Sequence, residues 1–162
     1  MACYTQSYSP MFRLMTVIAI FLLSKSGFGQ DINLIIQVNG KLVQGGLSNL
    51  YATLDSSRGK HFPVDYVPGN LHLPNELWST LKADSTKPFF LHFTYNTFQR
   101  DKQSNLIISV KVNQWHLEQP YLICNVYDFR DKQYRRWYQQ NRGQEYVTEL
   151  NFPNGGILIR NR

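Results

Sequence analysis

An all-β fold, mainly an antiparallel β-sandwich with one short helix near 74–83, is what the sequence predicts. Three observations carry that expectation. Apolar and polar side chains alternate with a period of two through most of the chain after residue 30, the period of a half-buried strand. Clusters of Gly, Pro, Asn, Asp and Ser punctuate the alternation at the roughly 8–12-residue spacing of sandwiches and barrels. Aromatic residues make up 14% of the chain, with ten Tyr, ten Phe and three Trp, and aromatic side chains suit a pleated surface.

Residues 1–29 read as a cleavable secretory signal. Arg13 supplies the positive flank of the apolar run Leu14–Leu23, which is far shorter than the ~20 residues a membrane-spanning helix needs. Small Gly27 and Gly29 follow two apart, and cleavage is expected after Gly29 or one residue later. Met11 offers a second start, with Met11-Phe12-Arg13 opening a more compact signal. An uncleaved anchor or a buried strand are the other readings of the run. Cys3 precedes the run instead of following it, against a lipoprotein signal. The expected mature chain, residues 30–162, is a single β-sandwich domain with no transmembrane segment. It carries fifteen Lys+Arg against eleven Asp+Glu, a net charge of +4, and one cysteine, Cys124. A lone cysteine forms no internal disulfide, so packing must hold the domain together.

The elements follow in order. Ile32, Leu34, Ile36 and Val38 share one face, and Asn39-Gly40 then predicts a tight hairpin into Lys41–Gln44, because both turn positions need positive φ. Gly45-Gly46 breaks the strand. Leu50, Ala52 and Leu54 make the next apolar face, and Phe62, Val64 and Tyr66 the one after, before Pro68-Gly69-Asn70. Residues 74–83 are the helix candidate: Pro74 suits the first turn, Glu76 complements the N-terminal dipole, and Leu77, Trp78 and Leu81 share a face. Phe89, Leu91, Phe93 and Tyr95, then Leu106, Ile108, Val110 and Val112, predict a long hairpin with one face in the core and a charged turn over 99–104. Residues 121–129 are apolar on both faces and read as a central strand. Residues 133–138 and 144–150 are expected to continue the meander, with a last short strand over 156–160.

In length and strand number this outline resembles the prealbumin-like or immunoglobulin-like accessory domains of secreted bacterial proteins. The resemblance implies a fold and transfers no functional residue.

Most catalytic patterns are missing. Arg58-Gly59-Lys60 has Leu54 where a phosphate-binding loop needs its earlier Gly, and a strand follows where a helix should. His61, His72, His92 and His116 are scattered, with no helical pair and no CxxC, so no metal site is expected. There is no Gly-x-Ser-x-Gly elbow, and Cys124 lies mid-strand between Leu122 and Val126, where burial raises a thiol's pKa. No carboxylate pair stands out. No catalytic residue and no cofactor are therefore assigned.

One segment is unusual. Arg130, Lys132, Arg135, Arg136 and Arg142 stand against Asp128 and Asp131, interleaved with Tyr127, Phe129, Tyr134, Trp137 and Tyr138. Arginine forks pair with carboxylate, sulfate or phosphate, and aromatic faces stack on sugars or on arginine. Read as a hairpin, the segment makes Arg130, Arg135, Arg136, Trp137, Tyr138 and Arg142 the candidate binding residues. The plain alternative is a solvated hairpin with Trp137 in the core. The expectation is an exported, periplasmic or extracellular, non-enzymatic binding or assembly component of the cell envelope. Its partner would be an envelope protein or an anionic glycan. Nucleic acid is disfavoured by export and the modest charge. A small secreted hydrolase or carbohydrate-active enzyme is the alternative.

Overall fold

The computed structural model describes residues 29–54, 59–84, 86–99, 102–138 and 143–153, together with Gly155. The expected signal peptide and the expected strand over 156–160 lie outside the described residues.

The first apolar run forms β1 (Gln30–Ile32) and β2 (Leu34–Val38), separated at Asn33. Asn33 marks a change of layer: β1 pairs with β7 (Asn70–Leu73), whereas β2 pairs with β3 (Lys41–Leu42) and β10 (Leu122–Asp128). Asn39 and Gly40 have φ of 52° and 73° and join β2 to β3, as the Asn-Gly pair predicts.

Three sheets result. One has the order β1-β7-β6, with β6 at Asp65–Val67. The second has the order β11-β10-β2-β3, with β11 at Tyr146–Asn151. The third runs β5-β4-β8-β9, from β5 (Phe62–Pro63) and β4 (Leu47–Thr53) to β8 (Phe89–Gln99) and β9 (Lys102–Val112). Pro63 sits on an edge strand, the place where a missing N–H breaks no ladder. The β8–β9 hairpin is in register from Phe89↔Val112 to Gln99↔Lys102, so its strands run further into the 99–104 segment than a loop of that length allows.

The predicted alternation sets the core. Ile32, Leu34, Ile36 and Val38 are buried, as are Phe89, Leu91 and Phe93 on β8 and Leu106, Ile108, Val110 and Val112 on β9. Each such side chain contributes about 1.5–3 kcal/mol on burial. The sheets meet face to face over these residues, and Cys124 is 1% exposed among them, its thiol pushed up to about 12 by burial. The fold is all-β, antiparallel-rich and sandwich-like.

Helix α1 (Asn75–Ala83) crosses from the first sheet to the third, burying Leu77 and Leu81. Two shorter helices, α2 (Gln114–Leu117) and α3 (Lys132–Trp137), were not anticipated. Helix α3 corrects the expected strand over 133–138. Tyr134 and Tyr138 are four apart, a spacing that shares a face in a strand and in a helix alike, so alternation did not separate the two. Lys, Gln and Arg favour the helix, and Asp131 starts it by accepting the Gln133 N–H at 2.9 Å. A second correction concerns direction. β2 and β10 are parallel, in register from Leu34↔Leu122 to Val38↔Val126. The intervening chain passes through the opposite sheet before returning, so these neighbours are not joined by a hairpin.

Two backbone N–H groups left outside the ladders, one on the edge strand β9 and one on β2, are satisfied by tyrosine hydroxyls. The Ser109 N–H of β9 donates to the Tyr146 hydroxyl at 2.9 Å, and the Ile36 N–H of β2 donates to the Tyr66 hydroxyl at 3.0 Å.

Candidate functional site

Helix α3 is held by its aromatic face. The Tyr127 ring of β10 lies 5.5 Å from Tyr134 and 4.7 Å from Tyr138, centroid to centroid. The Tyr134 hydroxyl donates to the Asn39 carbonyl at 2.9 Å. The Tyr138 and Tyr127 hydroxyls donate to the two Glu149 carboxylate oxygens at 3.0 and 3.3 Å. These contacts join the helix to the β2–β3 turn and to β11.

The six candidate residues then separate. Arg130 is committed within the fold: Nε donates to both Asp128 oxygens at 2.9 and 2.8 Å, and Nη2 donates to Oδ2 at 2.6 Å. Its Nη1 donates to the Ser104 hydroxyl of β9. Asp128 is buried, and its hydrogen bonds hold the guanidinium above its ordinary pKa. Tyr138 points inward to Glu149. Arg135, Arg136 and Trp137 are exposed, Trp137 by 58%. Arg135 donates from Nε to the Phe129 carbonyl at 3.1 Å, which holds its stem beside an open pocket of about 290 Å³ shared with Arg130, Gln144 and Glu145. Trp137 meets Tyr134 edge-on at 5.3 Å and is not a core residue. Arg142 lies outside the described residues.

A second concave surface lies on β4 and β8, and sequence reasoning missed it. Tyr51 stacks between His61 and His92, with centroid distances of 4.3 and 4.8 Å and near-parallel planes. Tyr51 and His92 are register partners across β4 and β8. Each alternates with core residues along its strand, so the outward direction was readable and the pairing was not. The His92 Nε2 and the Thr53 hydroxyl share a hydrogen bond of 2.9 Å. Burial, then the nearby His61, lowers the His92 pKa. Thr53 is 3% exposed, so its hydroxyl is shielded from a substrate. Among the described residues, no three His, Cys, Asp or Glu side chains converge as a metal site, and no helix is long and apolar enough to cross a membrane.

Compared with known proteins, the chain matches no family model, no curated protein and no solved structure. The resemblance to prealbumin-like or immunoglobulin-like domains therefore rests on length and strand number alone.

Proposed function

We propose that the protein is an exported, non-enzymatic β-sandwich module of the cell envelope that binds an acidic partner through the outer face of α3. The observation that carries this reading is the exposure of Arg135, Arg136 and Trp137, the last by 58%, on one short helix that is fastened to the sheet through Tyr134 and the residue that caps it, Tyr138. Arginines next to a fixed aromatic ring offer forked donors to carboxylate or sulfate and a flat surface for stacking. Export is supported by Arg13 and the Leu14–Leu23 run followed by Gly27 and Gly29. A non-enzymatic role is supported by the lack of a catalytic motif in the sequence, by the inert setting of Cys124 and by the shielding of Thr53.

The test pairs two measurements. N-terminal sequencing of the protein recovered from its host should begin at Gln30 or one residue beyond. Binding to immobilised polygalacturonate and capture of envelope partners should both be compared with the Arg135→Ala/Arg136→Ala variant. The variant is expected to lose at least tenfold in affinity, and the wild-type interaction should weaken with salt, as exposed charges do. Unchanged capture and binding by a folded double variant would remove α3 from the reading.

A further inference from the structure

The bulge in β4 shapes the second concave surface. The β4–β8 register shifts between Ser48 and Tyr51, and Asn49 within that interval has φ of 51°. Left-handed backbone is rare for residues other than Gly and is tolerated best by Asn. Bulges of this kind re-aim side chains and are over-represented beside binding and active sites.

The result is an open pocket of about 420 Å³, within the ~300–1,000 Å³ of small-ligand sites. Its polar groups are the Asn49 amide, the Thr94 hydroxyl, the Tyr51 ring and the imidazoles of His61 and His92. Its apolar wall includes Ile107 of β9, which is 73% exposed. Asn49 Nδ2 reaches Thr94 Oγ1 only at 3.5 Å, the outer limit of a hydrogen bond, so both groups retain bonding capacity. No Asp, Glu, Lys or Arg lines the pocket among the described residues.

From this lining we infer that the pocket is a binding site for a neutral pyranose sugar, separate from α3. Sugar hydroxyls both donate and accept, as the Asn amide, the Thr hydroxyl and a neutral imidazole do. Sugar C–H faces match an exposed Ile side chain. Among the described residues lining the pocket an ionised ligand finds no countercharge, and a wholly apolar one would leave the polar groups unpaired. Burial, then the neighbouring His61, lowers the pKa of the His92 imidazole. Among the described residues the pocket brings no carboxylate pair to a glycosidic bond, the arrangement most glycoside hydrolases use.

The test is an NMR titration of the purified protein with methyl glucoside, methyl galactoside, N-acetylglucosamine and cellobiose, with galacturonate as the charged control. At least one neutral sugar should shift the Asn49 side-chain amide and the Ile107 methyl resonances. Asn49→Gly keeps the left-handed backbone accessible, and Ile107→Ser changes an exposed position. Each should weaken that sugar at least tenfold while the melting temperature stays unchanged. The Arg135→Ala/Arg136→Ala variant should bind the sugar normally, whatever becomes of the α3 interaction. The inference is overturned if no neutral sugar shifts these resonances, if galacturonate binds as well, or if binding survives both pocket variants.

Discussion

The Asp128 carboxylate is buried and meets Arg130 through Nε and Nη2. Removing one partner of such a pair leaves an uncompensated charge, at a cost of about 3 kcal/mol. Arg130→Ala should therefore lose about that much in urea denaturation. Arg136→Ala, at an exposed position, should stay within about 0.5 kcal/mol. The two arginines look alike in sequence, because pairing across Asp128-Phe129-Arg130 depends on the turn after β10. Cys124 was legible for the opposite reason: it lies between Leu122 and Val126 on the buried face of an apolar strand, and position alone sets its environment. Tyr51 and His92 sit between these cases. Alternation gives the direction of each, but their stacking needs the register of two strands that lie far apart in the chain.

At the scale of elements, local signals worked where one period excluded the other. The β8–β9 hairpin has long alternating runs on both arms, and α1 has Pro74, Glu76 and an apolar face at helical spacing. Helix α3 failed that test, since tyrosines at 134 and 138 satisfy both periods. Its Asp131 cap is the informative residue. Asp131→Ala should destabilise the protein by about 1 kcal/mol, the usual worth of such a cap. It should also loosen α3, raising amide exchange at Gln133 through Trp137 while exchange in β8 and β9 stays unchanged. Loss of affinity for the proposed acidic partner should accompany that loosening, because the arginines depend on the helix for their placement.

Across the whole molecule, stability should follow pH through His92 and His116. Burial lowers the pKa of His92 and of His116. Both therefore bind protons more readily when unfolded, near the ordinary value of about 6.5. Their stabilisation is complete above that value and is lost as pH falls through it towards the lowered native values. The melting temperature should drop between pH 7.5 and pH 5, and His92→Gln should flatten the slope. Sheet membership was the least legible feature at this scale. The alternation in Leu34–Val38 says that a strand forms, but it carries no record that its parallel neighbour is Leu122–Val126.

That distant partnership has a consequence for biogenesis. An early strand cannot finish its ladder until a segment about ninety positions later has been synthesised, and such long-range closure is slow. A nascent chain stalled before Leu122 should remain protease-sensitive from end to end, with closure arriving late and all at once. Under the proposed export, delayed closure of that kind would keep the polypeptide threadable for a translocation pore.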